Sequence, residues 1–173
     1  MIRITLDTNE YVSAFNFRGK ALELIHQAIS GEIEIAISQP IIDETLRVLR
    51  EKFDWPANDL HDLQQRLLRT CRLVQPKEKL AVLGDEPDNR ILECAQEAGA
   101  DYILTEDRAM LRIKEHAGAK VLHVSEFSGL DRGRERQRKR PELEKRVERH
   151  GSARAGRATH CLNFRPEALE FNH

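Results

Sequence analysis

The sequence has little of what secreted, membrane-embedded or zinc-stapled proteins depend on. It holds three cysteines in 173 residues, Cys71, Cys94 and Cys161, an odd count. No two of them have the tight spacing of a zinc knuckle or a redox pair, so they read as reduced thiols, with Cys94 in a core. No apolar run approaches the roughly 20 residues that a membrane helix needs. The opening residues, Met1 to Asp7, are too short and too early-charged to read as a signal peptide. No internal repeat is present. These absences lead to the expectation of a cytoplasmic protein with no membrane association.

What is present is a charged chain with a core. Hydrophobic residues make up 40% and charged residues 33%. The net charge of −1 conceals an asymmetry: residues 130–173 carry twelve Lys and Arg against seven Asp and Glu, and the remainder carries sixteen against twenty-two. The division predicts a globular domain over 1–129 and a basic extension over 130–173, solvated or partly helical. Two roles stand open for that extension. It binds RNA or a partner by charge, or it is a solvated segment whose Glu135, Glu142, Glu144 and Glu148 pair with its own basic residues. The loosely spaced His150, His160, Cys161 and His173 make a poor zinc set.

Residues 2–6 alternate and are β-rich, which predicts a first strand. A helix is expected over 21–30, closed by Gly31, and a second strand over 33–37. A further helix starts near Ser38 and Pro40 and runs to about Phe53, and another spans 57–71. Leu73 and Val74 form a short strand or edge segment. A helix over 85–98 ends at Gly99. Strands over 102–105 and 120–124 flank a helix expected over 107–116. Alternation of strand and helix predicts a three-layer α/β/α sandwich with a mostly parallel central sheet.

In such sheets ligands bind beyond the carboxyl ends of the strands. Asp7 follows the first strand and Asp107 lies just past the strand that ends at Thr105. Glu44 shares a helix face with Ile41 and Val48, and Asp88 lies in line with Ile91, Leu92 and Ala95. Each acid alone has a plain reading, as a turn residue, a capping residue or exposed polar surface. Together they fall on one edge of the expected sheet, where four carboxylates raise one another's pKa values unless a cation offsets them. Oxygen ligands suit Mg²⁺ or Mn²⁺. No His-rich cluster accompanies them, which argues against zinc.

The segments Leu6-Asp-Thr-Asn9, Ser38 with Glu44, the run from Asp88 to Ala95, and Leu104-Thr-Glu-Asp107 with Met110 and Leu111 resemble the PIN-domain family. Ala98 to Thr105 is similar to the PIN toxins of prokaryotic type II toxin–antitoxin systems. The resemblance covers residues 1–128. It implies a metal-dependent endoribonuclease that hydrolyses RNA phosphodiester bonds, with Asp7, Asp88 and Asp107 as Mg²⁺ or Mn²⁺ ligands. Glu44 would complete the catalytic acids as a ligand or as the residue that places the attacking water. Thr8, Asn9 and Thr105 would hydrogen-bond the acids from behind. Arg90 and Arg108 are candidate contacts to substrate, or plain surface arginines. The resemblance also implies a small antitoxin partner and a homodimer, for which the leucine-rich pair of helices over 41–71 is the candidate surface.

Two positions depart from the family pattern. Glu10 stands where an apolar residue is usual. Glu106 stands where a small one is common and competes with Asp107 as a ligand. Glu93 lies off the Asp88–Ile91–Ala95 stripe and is expected at the surface. The alternatives are an RNA-processing PIN nuclease outside a toxin system and an inactive PIN-fold module that binds RNA or protein. A haloacid-dehalogenase-like phosphotransferase requires Asp where Asn9 stands. A response receiver requires a Lys that the segment His123-Val-Ser-Glu126 does not offer.

Overall fold

The computed structural model describes residues 1–128, so everything expected of the basic extension, its histidines and Cys161 lies outside the described residues. Twelve elements follow in order: β1 (Ile2–Leu6), α1 (Thr8–Phe17), α2 (Ala21–Ile29), β2 (Ile33–Ser38), α3 (Gln39–Phe53), α4 (Ala57–Thr70), β3 (Arg72–Val74), α5 (Glu86–Ala98), β4 (Tyr102–Leu104), α6 (Arg108–Leu111), β5 (Glu115–His116) and β6 (Ala119–Leu122). The sheet order is β3-β2-β1-β4-β6-β5. Every pairing is parallel except β5 with β6. The architecture is a three-layer α/β/α sandwich. None of the described helices is long and apolar enough to cross a membrane.

The core follows from the strands. Ile4, Leu6, Ile35, Ile37, Ile103 and Leu104 are fully buried. Strands buried on both faces read as continuous apolar runs, which is why β2 is Ile-Glu-Ile-Ala-Ile-Ser with only Glu34 half-exposed. That glutamate is held by Arg3, its neighbour across the β1–β2 pair, and by Arg72 from β3 at 3.2 Å. On α3, Ile41, Ile42, Thr45, Val48 and Leu49 form the buried stripe. Cys94 is fully buried, as expected, and Cys71 is buried as well.

Three local expectations are corrected. Residues 8–17, to which the hydrophobic pattern assigned no element, are a helix. Asp7 caps it, accepting from the Asn9 amide at 3.4 Å. The helix expected over 107–116 ends at Leu111. The chain then turns into the β5–β6 hairpin, whose turn residues Ala117 and Gly118 have φ of 49° and 86°, the positive pair that a tight hairpin requires. Glu93 is buried, not on the surface. It accepts from the Leu80 amide at 2.6 Å and from Arg90 at 2.8 Å.

Glu93 belongs to a set of α5 side chains that pin the segment leading into that helix. Asn89 uses its whole hydrogen-bonding capacity there. It accepts from the Val82 and Leu83 amides and donates to the carbonyls of Leu83 and Asp85, all between 2.8 and 2.9 Å. The leucines of α3 and α4 that suggested a partner surface are turned inward: Leu60, Leu63 and Leu67 are buried, Leu46 and Leu68 half-buried. The large exposed apolar residues among those described are Met1, Phe17, Ile29, Leu73 and Val82.

Removing Glu93 leaves the largely buried Arg90 guanidinium and the Leu80 amide without their acceptor. Glu93→Ala is expected to cost about 3 kcal/mol in chemical denaturation and to speed amide exchange at Leu80. A cost below about 0.5 kcal/mol, the range of ordinary surface substitutions, would show that the pair does not hold this segment.

Candidate metal centre

The strand order reverses direction at one place. From β1 the chain proceeds outward through β2 and β3, then returns to lay β4 on the other side of β1. The crevice beyond the carboxyl ends of β1 and β4 is therefore the topological switch point. Asp7 is the residue after β1, and Thr105 is the residue after β4. The Asp7 amide donates to the Leu104 carbonyl at 3.0 Å, which closes the two strand ends together.

A short hydrogen-bond chain orders the acids here. The Asp107 amide donates to the Thr105 hydroxyl at 2.9 Å, and that hydroxyl donates to Asp7 Oδ2 at 2.6 Å. Asp7 Oδ1 accepts from Asn9. Asp107 Oδ1 caps α6, accepting from the Ala109 and Met110 amides at 2.7 and 2.9 Å. Asp88 projects from the first turn of α5 and is half-buried.

The electrostatics tie three of the sequence-derived acids together. Burial raises the Asp7 carboxyl, and the charge of Asp107 raises it further against the lowering effect of the Thr105 bond. Asp88 is pushed up to about 6, first by burial and then by Asp7, Asp107 and Asp85. Glu44 stands apart. Arg47 holds it with a two-pronged ion pair at 2.6 and 2.9 Å and lowers its pKa, and the charge of Lys52 lowers it further. It lines a separate cleft with Thr8, Pro40, Ile41, Lys79, Glu86, Pro87 and Arg90. Charge thus links Asp88 to Asp7 and Asp107, and Asp7 to Asp107, while Glu44 sits in the field of Arg47.

Of the supporting residues, Thr105 is fully buried and acts through its side chain, while Thr8 and Asn9 reach Asp7 through backbone amides. Arg90 is not a free surface arginine: it is paired to Glu93 and, at 3.4 Å, to Glu86. Arg108 is exposed and is not part of the cleft. Between Asp107 and Glu106, it is Asp107 whose charge acts on Asp7 and Asp88. Glu106 acts instead on Glu10.

Glu10 is the acid whose weight the pattern understated. It is 5% exposed, and its carboxyl is pushed up to about 7, by burial first and then by Glu106 and Asp7. It accepts a hydrogen bond from the Glu106 amide. The signal was its departure from the apolar residue usual at that position.

The donor set is carboxylate oxygen, the chemistry of a hard divalent cation. Among the described residues, no three His, Cys, Asp or Glu side chains are gathered tightly enough to hold an ion as they stand. Both Asp7 oxygens are engaged by hydrogen bonds, from the Asn9 amide and the Thr105 hydroxyl, and one Asp107 oxygen is engaged by two amides of α6.

A family model for the PIN domain matches residues 3–109, more than half of the chain. The chain belongs to the PIN-domain family. Among solved structures, this PIN domain is similar to VapBC-1 from nontypeable Haemophilus influenzae, at 14% identity and a TM-score of 0.52, over 72% of this chain and 99% of that one. It also matches VapBC2 from Rickettsia felis, solved bound to a DNA fragment from their promoter, at 14% identity and a TM-score of 0.49, over 70% and 98% of the two chains. At such identity the likeness is one of fold. A comparison with curated proteins finds no significant match.

Asp7, Asp88 and Glu10 retain protons in the folded PIN domain at pH values where the unfolded chain, with ordinary values of 3.8 and 4.5, has released them. The folded state therefore binds more protons, and the stability these groups contribute is lost as pH rises from about 4 through about 7. Glu34 and Glu44, whose pKa values are lowered, act in the opposite sense, and their contribution is lost only below that window. Denaturation midpoints in metal-free buffer are expected to decline from pH 5 to pH 8, with added Mg²⁺ restoring more at pH 8 than at pH 5. A flat profile that Mg²⁺ does not move would show that the acids neither interact nor bind a cation.

Proposed function

We propose that this PIN domain is a Mg²⁺- or Mn²⁺-dependent endoribonuclease, the toxin of a toxin–antitoxin pair, acting in the cytoplasm. The observation that supports the reading is that Asp7, on the residue after β1 at the switch point, is raised by the charge of Asp107, and that Asp88 is raised by both. Those three residues would hold the cation. Bound there, it would lower the pKa of a water and offset charge on the scissile phosphate. Thr105 fixes the Asp7 carboxylate and the start of the Asp107 loop, so the two acids are oriented before substrate arrives. Glu10, a buried acid whose carboxyl is pushed up to about 7 by burial, Glu106 and Asp7, would hold or release a proton near Asp7.

Single-stranded or looped RNA is the substrate that suits an edge site, because an unpaired backbone can follow it. The fold likeness to VapBC proteins supports a small antitoxin as partner, and a homodimer is proposed with it. A second reading has its own support. The ungathered carboxylates favour an inactive PIN-fold module that binds RNA or protein without cleaving.

Incubation of a labelled single-stranded RNA with Mn²⁺ or Mg²⁺ separates the two. Wild type is expected to cleave and Asp7→Asn to fall to background. Thr105→Val, which keeps the shape but removes the shared hydroxyl, is expected to lose about 10- to 100-fold in activity or metal affinity. Equal cleavage by wild type and Asp7→Asn, or RNA binding without cleavage by either, would sink the nuclease reading.

A further inference from the structure

Glu10 occupies a place where a carboxylate is costly. It is 5% exposed, and no cationic side chain is among the groups that act on it. A buried acid without a cation is disfavoured unless hydrogen bonds offset its loss of water. An apolar side chain of similar size would bury there without that cost.

The place of Glu10 in α1 decides which bonds are open to it. Asp7 is the N-cap of α1, so Glu10 is the third helical residue. An acid at that spacing ordinarily reaches back to the amide of the capping residue. Here that amide is taken, because Asp7 donates to the Leu104 carbonyl at 3.0 Å. Glu10 instead reaches across to another chain segment and accepts from the Glu106 amide. A carboxyl accepts whether or not it is protonated, so this bond does not depend on its charge.

Residues 105–107 join β4 to α6, and each of their three amides has its own acceptor. Thr105 donates to the Leu122 carbonyl at 3.1 Å, Glu106 to Glu10, and Asp107 to the Thr105 hydroxyl at 2.9 Å. The segment is therefore tied twice to the start of α1. One tie runs from the Thr105 hydroxyl to Asp7, the other from the Glu106 amide to Glu10. A single bond is a pivot; two bonds to one rigid helical turn also fix orientation.

We infer that Glu10 is a positioning residue: through the Glu106 amide it holds the 105–107 segment against α1 and so sets where Asp107 stands relative to Asp7. Preorganised ligands of this kind bind a cation more tightly than ligands that must first be ordered. The inference rests on the proposed function only in taking Asp7 and Asp107 as holders of the cation.

The test replaces Glu10 in the full chain by Gln, which keeps an acceptor oxygen, and by Leu, which removes it. Glu10→Met, closer in length, serves as a second variant without the acceptor. Amide exchange read by NMR follows the Glu106 bond. The EPR signal of free Mn²⁺ measures metal affinity with no RNA present, and thermal melts establish that each variant is folded. Glu10→Leu and Glu10→Met are expected to speed exchange at Glu106 and to weaken Mn²⁺ binding about 10-fold. Glu10→Gln is expected to keep the protection and to stay within about threefold of wild type.

The inference is overturned if the variants without an acceptor leave either Glu106 exchange or Mn²⁺ affinity unchanged, or if wild type binds no Mn²⁺. It is also overturned if Glu10→Gln weakens Mn²⁺ as much as Glu10→Leu, since the charge and not the hydrogen bond would then be the property used. RNA cleavage is scored apart. The expected metal pattern with no cleavage by wild type sinks the nuclease and spares the positioning role. Cleavage by wild type with Mn²⁺ affinity indifferent to Glu10 does the reverse.

Discussion

One hydroxyl group holds the switch point together. Thr105 is fully buried between two carboxylate-bearing segments, donating to Asp7 and accepting from the Asp107 amide. A hydroxyl is the smallest side-chain group that can do both at once. Valine has the shape without the hydrogen bonds. The parallel pairing of β1 with β4 brings the strand ends level, and the Thr105 bond converts that backbone register into a fixed position for a carboxylate. Because the bond favours the ionised form of Asp7, it also opposes the desolvation that a buried acid suffers.

The domain treats its buried charges in two contrasting ways. Around α5, opposite charges are matched: Glu93 takes Arg90 and the Leu80 amide, and Asn89 closes the loop with four hydrogen bonds. Around Asp7, like charges act on one another, and no cationic side chain of the described residues is among the causes that shift Asp7, Glu10 or Asp88. The first arrangement makes a rigid base. The second stores repulsion that the rigid base must withstand, and a divalent cation would relieve it. Perturbed acids beyond the carboxyl ends of parallel strands are candidates for a functional site.

Much of this was legible in the sequence, for physical reasons that differ by element. The central strands show as short apolar runs because both faces are buried, and the helices over 39–53, 57–70 and 86–98 carry their periodicity openly. Gly99 announces its helix end through a left-handed φ of 60°. The helix over 8–17 was hidden because it is buried on several sides, with Thr8, Glu10, Tyr11, Val12 and Ala14 all inside, so no polar face alternates with an apolar one. The hairpin at 115–122 was hidden because two short strands of two and four residues give too little pattern to oppose the run of helix-forming residues before them. Glu93 was misjudged because the segment that covers it, with the Leu80 amide, is an irregular loop that periodicity does not describe.

The acids show the limit more sharply. Asp7, Asp88 and Asp107 could be grouped from their places after strands and at a helix start. Glu44 met the same positional test, and its helix does carry it to the same edge. What separates it is Arg47, one turn further along α3. That ion pair gives Glu44 a lowered pKa at the same edge where its neighbours are raised. The Arg47 fork fixes that carboxylate in place and keeps it ionised. Position along the fold decides which acids meet, but their partners decide what each can do there. For Glu44 the partner lies three residues away on its own helix.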